Sequence, residues 1–475
     1  MMKNFNLCRG LQLLLSKRKN ASRSCSFFHL RSSSEISNKC RSFHDTSNTL
    51  KANVESKVKH KQPSTHQTKF MNPIVRELWE QRQRHGTKHE PNAEFKHPSH
   101  SKTTIDYNFK SNEFLREAYQ SPGGTMRFGK VLEDLDALAG NIAHHHVAGY
   151  GEDRLMLVTA AVDRIALRNI PVLENDQRLS GQVTFVGSSS MEIRMQIHEL
   201  SGDDNNEKPE HWLEGYFTFV AVNPETNRPV KICPLIPKTS EERAVFELGS
   251  LKAAAKKAAR KKGIGNGKPL TEEAIKMESR AEQLMNDAFP LLRMPSLADP
   301  NAILMVHTQM QNCMIAQPQV RNLSNKIFGG FLMRRAFELA FAACYSFGGE
   351  WPQMLEVDNI TFNAPVNVGD LLQFNSKVIY SLPDGGDLGA EVKKHSSKPL
   401  VMIEVECYVM EPEIARANLS NRFYFTFVLP TKETCRKVLP GSLEDARRVV
   451  QRMNADEKQA GLGKGYLRQY DLDSQ

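Results

Sequence analysis

The strongest constraint on the fold of this chain is internal to it. The pentapeptide Tyr216-Phe217-Thr218-Phe219-Val220 returns unchanged as Tyr424-Phe425-Thr426-Phe427-Val428, an alternating aromatic strand in both places. Upstream of each, Val162-Asp163-Arg164-Ile165 corresponds to Val357-Asp358-Asn359-Ile360, and a glycine that opens a long amphipathic helix stands at Gly129 and again at Gly330. These matches recur in one order about 200 residues apart, which marks a duplicated structural unit.

Both copies read as a strand, a loop ending in glycine, a helix of about twenty residues and then several alternating strands. The first copy is expected over residues 101–237 and the second over 301–432. Strands of the first are predicted at 104–109, 155–167, 181–186, 191–198 and 212–222, and Gly369-Asp370 supplies a turn between two strands of the second. One helix cannot bury its apolar stripe alone, so the economical packing is a sheet wrapped around it. That is the hotdog arrangement, of the α+β class. A single unit leaves its sheet edge and helix face uncovered, so two tandem hotdog domains are expected to pair within the chain.

The remainder is polar and charged. Residues 1–45 carry Arg9, Lys17, Arg18, Lys19, Arg23, Arg31, Lys39 and Arg41, abundant Ser, and Glu35 as the main acid, the composition of a mitochondrial transit peptide directing the chain to the matrix. Residues 46–100 read as a polar extension, 238–300 as a helical charged linker, and 433–475 as a C-terminal helical tail. The net charge of +9 comes with no groove-reading motif or stacking aromatics, so no nucleic acid is expected as a partner. No apolar run approaches the roughly twenty residues of a membrane span. The eight cysteines are scattered without Cys-x-x-Cys, which suits a reduced compartment. His144, His145 and His146 are adjacent on a helix and point in different directions, so no metal site is expected there.

On the first helix, Leu132, Ala139 and Ala143 form one ridge by their three- and four-residue spacing, and Asp136 lies on it. A buried carboxylate is costly unless paired or used. Seven residues from the helix glycine the second copy has Phe337, so the fold itself does not require an acid in this slot. The neighbours Glu133 and Asp134 fall on other faces and are expected to be solvated; Glu338 is expected to be solvated or salt-bridged beside Arg334 and Arg335. The second copy offers instead a polar loop from Arg321 to Gly330, where Gly329 and Gly330 let a substrate approach the helix start and its backbone N–H groups.

The phrases from Met126 to Ala139 and from Asn322 to Ala336 resemble the two helix signatures of the tandem-hotdog acyl-CoA thioesterases, most closely the mitochondrial acyl-coenzyme A thioesterase 9 type, over about residues 70 to 440. The resemblance implies hydrolysis of fatty acyl-CoA to free acid and CoA, with no cofactor beyond the coenzyme A of the substrate, and further assembly of the double hotdogs into a homo-oligomer. It implies a catalytic pair formed by an Asp on one helix and an Asn in the loop before the other, here Asp136 and Asn322. Asp136 would activate water, or attack directly. Asn322 would position the water, and the Gly329 and Gly330 amides would polarise the thioester carbonyl. At the second potential site Ser121 replaces the Asn and Phe337 the Asp, so one working site per chain is implied. The rival readings are a hotdog hydratase, whose Asp and His phrase is not reproduced around His144, and a non-catalytic acyl-CoA or lipid-binding protein.

Overall fold

The computed structural model describes residues 73–85, 94–149, 155–168, 171–200, 211–262, 272–322, 326–385 and 398–470. The expected transit segment and the first part of the polar extension lie outside them.

Two helices of twenty residues anchor the structure: α3 (Phe128–Val147), preceded by α1 (Pro73–His85) and α2 (Glu113–Tyr119), and α6 (Gly329–Gly348). In α3, Leu132, Leu135, Leu138, Ile142 and Ala143 are fully buried, and with the buried Glu133, Asp134 and Asn141 the covered positions go round most of the helix. Such a helix has to be central, because no amphipathic surface position could cover it. Helix α6 is built likewise around Met333, Ala336 and Ala340, and it stops at Gly349, which takes the left-handed φ of +69° that a side chain disfavours.

Around the two helices the described residues form one sheet of ten strands: β1 (Thr103–Tyr107), β2 (Met156–Leu167), β3 (Asp176–Val186), β4 (Ser190–Leu200), β5 (His211–Val222), β7 (Met310–Ile315), β8 (Gln353–Phe362), β9 (Leu371–Leu382), β10 (Leu400–Glu411) and β11 (Arg416–Val428). A short β6 (Ala302–Leu304) pairs in parallel with β12 (Lys437–Leu439) outside it. The order β1-β3-β4-β5-β2-β8-β11-β10-β9-β7 reads the same from either end once the copies are exchanged. At its centre β2 and β8 pair antiparallel, Ala161 opposite Thr361 and Ile165 opposite Val357. Two hotdogs are thus joined edge to edge, each closing the other's open edge.

The repeated pentapeptide shows what alternation achieves. Phe217, Phe219, Phe425 and Phe427 are buried, whereas Tyr216 and Tyr424 alternate with them. Two further helices supply cations to these tyrosine rings: Lys252 of α4 (Ser240–Lys262) at 4.1 Å and Arg452 of α7 (Leu443–Tyr470) at 4.7 Å. Helix α4 also packs Phe246 on Phe185 of β3. Helix α7 packs on α5 (Glu272–Arg293) through Ala281, Ala446 and Val450. The segment expected as a charged linker therefore forms two helices, each packed on the rest of the chain.

Candidate active site

The segments entering the two central helices are held by matching hydrogen bonds. In the first, Ser121 N–H donates to the Thr125 carbonyl at 2.7 Å and Arg127 N–H to Tyr119. In the second, Asn322 N–H donates to the Lys326 carbonyl at 2.7 Å and Phe328 N–H to Val320. Each is closed by one bridge, Gln120 with Met126 and Arg321 with Ile327. The two copies can therefore be compared position by position: Ser121 stands for Asn322, Phe128 for Gly329, Gly129 for Gly330, Asp136 for Phe337.

Asp136 is 1% exposed, and its carboxylate crosses from one half of the molecule to the other. The Gly330 N–H, in the first turn of α6, donates to Asp136 Oδ2 at 2.6 Å. The Thr159 hydroxyl of β2 donates to Oδ1 at 2.9 Å. Burial pushes the pKa of Asp136 up to about 6, while the Thr159 and Gly330 bonds favour the charged form and pull it down. The helices can approach this closely only because of the glycines. A Cβ on Gly330 would lie 2.9 Å from the Glu133 backbone, and one on Gly329 3.0 Å from Asp136 Oδ2.

Asp136, Gly329 and Gly330, named from the sequence, are thus brought together. The Gly330 amide, expected to face a substrate carbonyl, is taken up by Asp136 itself. Asn322 is half-buried in the loop before α6, where its Oδ1 accepts the Lys326 N–H at 3.0 Å. Asn322 and Lys326 thus exchange two hydrogen bonds just ahead of the same helix start.

The expectation that Glu133 and Asp134 are solvated is incorrect. Glu133 is buried against Arg334 of the other half, 3.0 Å away. Asp134 is fully buried and accepts the hydroxyls of Tyr107 and Tyr119, the former at 3.0 Å. Burial pushes its pKa up to about 8, with those two bonds opposing. The helical wheel placed Asp134 off the sheet-facing ridge correctly, but β1 and α2 wrap that side as well. Glu338 is salt-bridged to Arg334 and Arg335, both at 2.9 Å. Of the three histidines, His145 meets Thr103 and His146 the Cys233 carbonyl, so they do diverge. Among the described residues no cluster is placed to hold a metal ion, and no helix is long and apolar enough to cross a membrane.

No family model matches the sequence. Individual proteins do. The acyl-coenzyme A thioesterase 4, mitochondrial, of Humulus lupulus is 38% identical in an alignment of 403 positions that covers 82% of this chain and 74% of that protein. The chain belongs to the acyl-coenzyme A thioesterase family. A second thioesterase of the same plant, named chloroplastic, is 37% identical over 76% of this chain and 81% of its own length. The mitochondrial thioesterase 9 of Homo sapiens is 33% identical over 66% of this chain and 68% of its own.

In this thioesterase the sequence reading missed Thr159. A lone Thr in an alternating strand is unremarkable by itself, but the comparison of copies would have singled it out. Thr159 pairs with Phe219 in the sheet, and Met354 pairs with Phe427, the same residue of the repeated pentapeptide. Thr159 and Met354 therefore occupy equivalent slots, hydroxyl in one half and thioether in the other, the same asymmetry that marks Asp136 and Phe337.

Proposed function

We propose that this chain hydrolyses fatty acyl-CoA to the free acid and CoA at one site built from both halves. The observation that carries this reading is the buried Asp136 of the first copy, tuned to about 6 and held by the Gly330 amide of the second. An acid with that pKa is ionised at neutral pH yet basic enough to take a proton. Asp136 removes a proton from water as the water oxygen attacks the thioester carbon. The carbonyl electrons move to oxygen, which the Gly329 amide receives, an N–H in the first helical turn where no intrahelical acceptor exists. The tetrahedral adduct collapses, the C–S bond breaks, and the departing thiolate takes the proton from Asp136. Asn322, with Oδ1 held by the Lys326 amide, donates from Nδ2 to the water. The Gly330 amide keeps the base in place.

The test is release of free thiol from acyl-CoA, read with Ellman's reagent, for Asp136→Ala and Asn322→Ala. Each should lose on the order of a hundredfold in kcat. Full release by both variants would refute the assignment, and binding by the wild type without any release would favour a carrier.

The basic, Ser-rich residues 1–45 and the mitochondrial names of two relatives support placement in the mitochondrial matrix. A fusion of these residues to a fluorescent protein should co-localise with mitochondria, and plastid or cytosolic signal would contradict it. Assembly of the fused pairs into a homo-oligomer is part of the same reading, and a monomer mass by light scattering would end it.

A further inference from the structure

The half without the acid is filled. Phe337, in the slot of Asp136, packs on Phe128 with ring centroids 5.4 Å apart, on Phe341 at 6.0 Å and on Phe427 at 6.1 Å. Phe341 in turn packs on Phe427 at 6.1 Å and on Trp351 at 5.0 Å. Trp351 closes over the entering loop, 3.1 Å from where a Cβ on Gly123 would stand. A row of aromatic rings thus extends from the slot that Phe337 occupies one turn along α6.

Around the acid, at the other of the two equivalent sites, the same positions are stripped. Gly329 replaces Phe128, Asp136 replaces Phe337, and Gly140, one turn beyond Asp136, replaces Phe341. Phe219, the partner of Phe427 in the repeat, remains. A Cβ on Gly140 would meet nothing closer than the edge of Phe219 at 4.0 Å. Gly140 is partly exposed, although Ala139 and Asn141 on either side of it are buried. A glycine in the interior of a central helix weakens that helix relative to alanine, so its presence at this one place needs a reason outside the backbone.

We propose that Gly140 sets the length of acyl chain this site accepts: the chain runs from the thioester at Asp136 over Gly140 and along Phe219, through the space that Phe341 fills in the other half. The inference rests on the thioesterase reading above. One helical turn is about 5–6 Å, so the carbons passing Gly140 are roughly the fourth to sixth from the carbonyl. Short chains end before that point and long ones must cross it.

The experiment measures kcat/KM for butyryl-CoA through palmitoyl-CoA by thiol release, in the wild type and in Gly140→Ala, Gly140→Leu and Gly140→Phe. The palmitoyl-to-butyryl ratio should fall in that order, by at least about tenfold for Gly140→Phe. Phe341→Leu, in the filled half, should keep the wild-type ratio. Should Gly140→Phe fail to fold by circular dichroism, Gly140→Leu and Gly140→Ala read the same trend. Ratios unchanged across the series, or losses equal at all lengths, would overturn the proposal while leaving the thioesterase reading intact. No release from any acyl-CoA by the wild type would overturn both.

Discussion

Asp136 works in a tug between burial, which favours the proton, and two hydrogen bonds, which favour the charge. In its proposed role as general base, with a pKa near 6, it should set the acid limb of the pH–rate profile: kcat/KM should fall about tenfold per pH unit below 6 as Asp136 takes up its proton. Thr159 supplies one of the two opposing bonds. Thr159→Val removes a donor to the carboxylate, so the midpoint should move to higher pH and the rate at pH 6 should drop several-fold, whereas Thr159→Ser should restore both. A profile in which the Val variant keeps its midpoint would show that Thr159 has only a packing role. At this scale the sequence was readable where two copies could be compared. Asp136 against Phe337 is a contrast that periodicity exposes, and Thr159 against Met354 is the same contrast, three residues ahead of the matched Val162 and Val357, with strand pairing in the same register.

At the scale of elements, α3 is tied to β1 and α2 by Asp134, whose carboxylate receives Tyr107 and Tyr119. Its pKa is raised to about 8, so the folded state holds a proton that the unfolded chain releases near 4. Stability from this proton is full below pH 4 and is lost progressively as pH rises to 8, by up to about 1.4 kcal/mol per unit. Asp134→Asn has no proton to lose, so its melting temperature should gain on the wild type between pH 5 and pH 8. A constant difference over that range would contradict the account. The same residue shows where a helical wheel stops being informative. A wheel separates one apolar ridge from the rest, but a helix wrapped on several sides buries acids that lie off the ridge, and only the tertiary partners reveal it. The predicted strands fared better, because period-two alternation is local: β2, β4 and β5 lie within a few residues of their expected bounds.

For the molecule as a whole, duplication dictated the architecture and was visible in five repeated residues. Less visible were the outer helices, since charged Ala/Lys stretches look the same whether they link domains or cover a sheet. Helix α7 covers its half through Arg452, which is 5% exposed and bonds Asp358 of β8 at 2.6 Å as well as Asp456. Tyr380 of β9 also donates to Asp456, at 2.5 Å. Arg452→Ala strands two buried carboxylates and should cost about 3–5 kcal/mol by denaturant unfolding. A loss below 1 kcal/mol would mean that α7 is held by its apolar contacts alone.

The duplicated frame has two equivalent slots at its central helices, one holding Asp136 and the other filled with Phe337, and the proposed function places the thioester only at the first. Isothermal titration with a thioether analogue of acyl-CoA, which cannot be hydrolysed, measures this directly. One analogue bound per chain is the expected stoichiometry; two equivalent sites, or none, would contradict it.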